Sequence, residues 1–277
     1  MIENIINEKG KAKLTIIAFL PLYGCLSTGI IYVGVGVIAI LSFLKVRKGG
    51  ADEGSLVVLL NGSLIGKIFI WVILLGTISY IIWRIYESIT DPYDYGKAFK
   101  GIILRTGIAL STIADFLIAY SVILTLLGES KINRNGQPTE EHRVIGNILQ
   151  EAGGISLIIG LGCIILLTAI VQLFYGVTKG YRERLDIDKC NSITKKSIGF
   201  LAWSGYLSRG IMLGIVAISF IKAGIVKNAT YVVNTDKAFD LIGDNAGEIW
   251  FILAALGTIC YGLFMFVLGF AYDIEKG

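Results

Sequence analysis

The sequence predicts an all-helical membrane protein, with six transmembrane helices arranged as three parallel two-helix repeats around a pseudo-threefold axis. Three observations point there. Uncharged apolar runs are long and numerous, the same glycines recur at a fixed distance, and Lys and Arg are shared unequally between alternate loops. The chain has 277 residues, 55% of them hydrophobic, and a mean hydropathy of +0.72, more apolar than a soluble domain of this length can hide.

Taken in order, Leu14–Leu44, Ile68–Trp83, Ala152–Thr178 and Ile249–Tyr272 contain no Asp, Glu, Lys or Arg. Thr106–Gly128 and Ser197–Ile221 are each interrupted by a single charge, Asp115 and Arg209. A hydrocarbon core takes about 20 apolar residues in a helix, so each run can cross it, the second by extending past Arg84. Leu56–Ile65 and Lys237–Gly247 read as short interfacial helices lying over the bundle. The leading stretch, Met1–Lys13, is polar and followed by no cleavage pattern, so the first apolar run is expected to stay as an anchor. Placing the N-terminus in the cytoplasm gives that side 14 Lys and Arg against 10 opposite, which predicts both termini inside.

LGTISY at 75–80 returns as LGTICY at 256–261, 181 positions on. The same offset carries Gly24 to Gly205, Gly29 to Gly210, Gly62 to Gly243, Gly66 to Gly247 and Gly76 to Gly257, where chance would give about one match. The chain therefore reads as one transmembrane domain, 1–277, of three repeats: 18–98, 100–190 and 198–277. The middle unit matches less well. Gly107 aligns with Gly24 and Gly205, and setting Gly153 on Gly66 puts Cys163 and Leu167 at the level of the glycine–tyrosine pair. A helix pair restores orientation, so the units are parallel. In lipid, helices associate through close packing of small residues, which is the expected use of Gly24, Gly29, Gly76, Gly205, Gly210, Gly214 and Gly257. Gly24 and Gly29 lie roughly 140° apart around a helix and should serve different contacts. Gly210 and Gly214 form a strict GxxxG.

GYLSRGIMLGIVAIS at 205–219 and AALGTICYGLFMF at 254–266, with the basic close VQLFYGVTKGYRERLD at 171–186, resemble the bacterial membrane family known as domain of unknown function 1206. That resemblance implies a six-helix, three-repeat protein of the bacterial inner membrane and carries no established activity. Arg209 is matched by Thr28 in repeat one and Ser111 in repeat two, so a site needing three arginines is not written here.

Charge inside a membrane costs at least about 2.5–3.5 kcal/mol and marks a candidate polar site. Asp115 aligns with Tyr32 and Leu213, one helical turn from Arg209, so an Asp115–Arg209 bridge across the interior is feasible, either as an ion relay or as a structural pair. Tyr80, Tyr261 and Gln172 could add polar groups to it. Arg84, beside Trp83 and Tyr86, reads as an interface anchor that snorkels to the headgroups. The basic loop Lys179–Lys196 could dock anionic lipid or serve only as a topology signal. Four scattered cysteines and the single His142 support no metal site, disulfide framework or bis-histidine haem, and no cofactor or nucleic-acid partner is expected. With no phosphate loop, HExxH or GxSxG present, an enzyme is not expected. The favoured reading is small-solute or ion permeation; the alternative is a non-transporting accessory subunit, with protein partners or an oligomer.

Overall fold

A computed structural model describes the backbone of residues 2–46, 50–91, 96, ten positions between 101 and 126, 139–185 and 191–271. Side chains are described from residue 19, save 139–141, 183 and 184 within those ranges. The helices are α1 (Ile2–Phe43), α2 (Glu53–Asn61), α3 (Leu64–Thr90), α4 (Thr139–Gln150), α5 (Gly154–Thr178), α6 (Ser192–Val226), α7 (Thr235–Ala246) and α8 (Glu248–Phe270). Among the described residues five stretches are long and apolar enough to cross a membrane: Phe19–Phe43 of α1, and all of α3, α5, α6 and α8. Of the expected crossing at Thr106–Gly128, the described positions are helical, and Asp115 lies outside them.

Packing follows the glycines more than the bulky side chains. A Cβ on Gly24 would sit 2.8 Å from the Cα of Tyr80, and one on Gly205 would sit 2.5 Å from the Cα of Tyr261. α1 therefore touches α3, and α6 touches α8, backbone against backbone. In the same two interfaces Gly76 abuts Ser27 and Gly257 abuts Ser208. Each serine is hydrogen-bonded across the seam. Ser27 Oγ donates to the carbonyl of Ile73 at 2.8 Å and lies 3.0 Å from Thr77 Oγ1; Ser208 Oγ donates to the carbonyl of Ala254 at 2.7 Å and lies 3.3 Å from Thr258 Oγ1. A buried hydroxyl needs such a partner, and a glycine opposite gives it room.

A second type of seam repeats every seven residues. On α5, Gly162, Ala169 and Gly176 face Ala217, Gly210 and Tyr206 of α6, while Gly224 of α6 closes on Ile159. On α1, Gly29 and Gly36 meet Phe266 and Ile259 of α8, and Gly262 and Gly269 of α8 meet Val33 and Cys25. Gly24 and Gly29 thus do serve different helices. A seven-residue period suits left-handed crossing at about +20°.

Two corrections follow. Gly214 meets nothing within 4 Å among the described residues, so among these the GxxxG packs through Gly210 alone. The step that keeps Gly210 on the α5 seam is seven residues, to Ala217, and four residues turn Gly214 away. The register of the middle unit also moves by one: Gly210 rests on Leu173 as Gly29 rests on Phe266, which sets Ile164 and Thr168, not Cys163 and Leu167, level with Gly257 and Tyr261.

Two short helices overlap the expected stretches, but their bounds differ. α2 starts at Glu53 and ends at Asn61, so Leu64 and Ile65 of the expected Leu56–Ile65 belong to α3, and α7 starts at Thr235, two residues before Lys237. Asp52 caps α2 by accepting from the Ser55 N–H at 2.5 Å, and Asn234 caps α7 by accepting from the Lys237 N–H at 3.0 Å. Leu56 and Val57 of α2, with Ala238 and Phe239 of α7, are buried in one cluster with Val35, Ile38, Ile70 and Ile73. α7 then turns into α8 at Gly247, whose φ of 102° falls where L side chains are strained. Outward faces are apolar: on α3, Ile68, Trp71, Leu75 and Ile82 are all exposed.

Candidate functional site

Arg209 was placed at the bundle interior by sequence, and there it lines a cavity of about 40 Å³ with Tyr32, Glu53, Met212, Leu213, Val216, Thr235, Thr258 and Tyr261. That is room for about three water molecules. α6 carries Arg209 inward because its neighbours in sequence, Ser208 and Gly210, are committed to the seams with α8 and α5. Its guanidinium carbon lies 4.7 Å from the ring centre of Tyr32 and 4.6 Å from that of Tyr261, and Nη1 donates to the Tyr261 hydroxyl. Tyr32 and Tyr261 meet edge-to-face at 5.0 Å. Each ring face contributes about 1–2 kcal/mol of attraction to the cation where water is excluded.

The acid of this cavity is Glu53, in the first turn of α2, which sequence reading passed over. Thr235 Oγ1 of α7 donates to it, 3.3 Å from one carboxylate oxygen and 3.1 Å from the other. Loss of hydration on burial raises its pKa, opposed by its own backbone N–H, reinforced by Asp52, and opposed again by the Thr235 hydroxyl and the charge of Arg209. The signal that could have found it was its position one residue after an Asp, at the start of a short helix beside a glycine-rich core.

Behind Glu53 the N-termini of α2 and α7 interlock. Asn234 Nδ2 donates to Asp52 Oδ2 at 2.7 Å, and the Ala51 N–H donates to Asp236 Oδ1 at 2.6 Å. Burial pushes the Asp236 carboxyl up to about 6, partly offset by that backbone donor and reinforced by Asp240 and Asp52.

The other sequence candidates separate from this cavity. Tyr80 lies under Arg84, whose guanidinium carbon is 5.2 Å from the ring centre. Arg84 does not snorkel. Its side chain is 12% exposed and pairs at 3.2 Å with Glu87, one turn on and fully enclosed. Glu87 is a second embedded acid, so Asp115 is not alone in an apolar run. The anchor reading fails because the partner charge lies on the buried face of α3, not at its lipid face. Gln172 is buried, and its Oε1 has no hydrogen-bond partner among the described residues. In the basic loop, Tyr181 and Leu185 are buried against Ile198, Ala202 and Tyr206, and 186–190 lie outside the described residues. Among the described residues no group of His, Cys, Asp and Glu could hold a metal ion.

The family model for Domain of Unknown Function (DUF1206) matches twice, at 23–91 and at 204–271. The chain carries two DUF1206 regions. They hold both glycine–tyrosine contacts and both serine–threonine pairs described above, and the resemblance read from 205–219 and 254–266 lies within the second. Every described cavity residue falls in one region or the other, so DUF1206 sequence builds the site from both halves of the chain. The chain is also 24% identical over 251 residues to "Uncharacterized protein YxxB" of Bacillus subtilis (strain 168), covering 89% of this chain and 88% of that one. No solved structure matches it.

Proposed function

We propose that this chain is a non-enzymatic, multi-pass protein of the bacterial inner membrane, one domain of three tandem helix pairs, that passes a small ion or solute through the Arg209 cavity. One observation carries the reading. A permanent cation sits in the interior between the rings of Tyr32 and Tyr261, beside a carboxyl and two threonines, around space for water. Such an arrangement is expensive to maintain in lipid and suits a permeant polar species.

The threefold arrangement is supported by contacts that recur 181 residues apart and by the seven-residue seams that join α5 to α6 and α8 to α1. It is also supported at the third expected seam, where Ser88 Oγ donates to the Arg105 carbonyl at 3.0 Å and Arg105 Nε donates to that of Ser88 at 2.8 Å. Cytoplasmic termini and anionic lipid at Lys179–Lys196 belong to the same reading, resting on the distribution of Lys and Arg.

The test is flux. The purified chain, reconstituted in phosphatidylethanolamine–phosphatidylglycerol vesicles, should pass protons or small monovalent ions under an imposed potential. Arg209→Gln should lower the rate at least tenfold at equal incorporation. Vesicles as tight as empty ones to every such ion reject the proposal, and a partner recurring in gentle-detergent purifications would then support the accessory-subunit reading.

A further inference from the structure

We propose that Glu53 is the proton-exchanging group of the Arg209 cavity, positioned by Thr235, and that the species the site takes up and releases is the proton. The inference rests on the permeation reading for its location and deepens it by naming the ligand. Among the described residues lining the cavity, Glu53 is the one carboxyl. Its two oxygens are both within reach of the Thr235 hydroxyl, 3.3 and 3.1 Å away. A cavity with room for about three waters is too small for an organic solute and sufficient for a short hydrogen-bonded chain. Tyr32, Thr258 and Tyr261 line that space, and the Tyr261 hydroxyl accepts from Arg209.

The charged surroundings are mixed. Arg209 from α6 favours the carboxylate; Asp52, at the cap of the same helix, disfavours it. Asp236 of α7 accepts from the Ala51 N–H, beside Asp52, and the two carboxyls interact. Among the described residues α1 presents Tyr32 to the cavity and α8 presents Thr258 and Tyr261. Burial favours the neutral acid, and the Thr235 hydroxyl favours the anion. In the exchange step the Glu53 O–H bond breaks, its electron pair stays on the carboxylate, and the proton passes to a cavity water. Arg209 then balances the new negative charge. Uptake is the reverse.

The experiment is an infrared pH titration of the whole purified chain in lipid nanodiscs. A protonated-carboxyl band should titrate, and Glu53→Gln should remove it. Thr235→Val, which deletes the donor to the carboxylate, should strengthen proton binding roughly tenfold, moving the midpoint about one unit upward. Asp236→Asn should leave the Glu53 band in place. A spectrum unchanged by Glu53→Gln, or a midpoint unmoved by Thr235→Val, overturns the assignment. Should Glu53→Gln fail to fold, Glu53→Asp must shift the band for the assignment to stand. Titration without ion flux would sink the permeation reading alone, and flux without the band would sink this one alone.

Discussion

Asn234 donates to the carboxylate of Asp52 at 2.7 Å, and each of these residues is itself the N-cap of a helix. Two helix starts, 182 positions apart, are thereby tied to one another over the Arg209 cavity. The arrangement gathers Asp52, Glu53 and Asp236 where helix dipoles favour negative charge, so burial and dipole oppose each other.

Asp236 gives this junction a pH dependence with a definite sign. Its folded carboxyl titrates at about 6, above the ordinary carboxyl value. A raised acid pKa means the folded chain binds the proton more tightly than the unfolded one. Stability should therefore be greatest below the unfolded pKa, fall as pH rises from about 4 to 6, and level off above. Thermal unfolding in detergent across that range should show the slope, and Asp236→Asn should flatten it while retaining an acceptor for the Ala51 N–H.

The glycines separate cleanly. Gly205→Ala puts a Cβ 2.5 Å from the Tyr261 Cα, where backbone must move, and should cost about 1–3 kcal/mol or abolish folding. Gly214→Ala meets nothing within 4 Å among the described residues and should be neutral or gain up to about 1 kcal/mol from helix propensity. Equal losses at the two positions would contradict the packing described.

Arg84 and Glu87 form an enclosed pair, so removing one charge should cost more than removing both. Glu87→Leu alone should destabilise by about 3–5 kcal/mol, and adding Arg84→Met should recover a large part. A double-mutant cycle read by chemical unfolding measures the difference.

Tyr261→Phe keeps the ring under Arg209 and deletes the hydroxyl that accepts from Nη1. A loss of about 1.5–3 kcal/mol is expected, the range for a hydrogen bond to a charged group. Thermal melts of Tyr261→Phe beside the parent chain check it.

Five of the expected crossings, the presence of a short helix between α1 and α3 and between α6 and α8, and the packing use of Gly24 and Gly205 were legible because each is written in local periodicity or in the 181-residue offset. Arg209 was legible as a lone charge in an apolar run. Glu53 was not, because its depth is set by α7 folding back over it, a contact 182 residues away that no local pattern encodes. Glu87 was missed for a different reason: near the end of an apolar run it reads as loop, and only the inward turn of Arg84 draws it inside. The GxxxG misled because spacing names a face without naming a neighbour.

The seven-residue seams have a mechanical consequence. On α5 and α6 the small residues recur at one period only, so a one-turn ratchet of either helix would drive Ile221 or Leu173 into a glycine's place and jam it. Piston sliding is closed to these walls. α2 and α7 add a clasp of another kind: hydrogen bonds from Ala51, Asn234 and Thr235 tie the two DUF1206 regions together at the starts of these short helices, as well as along the long seams.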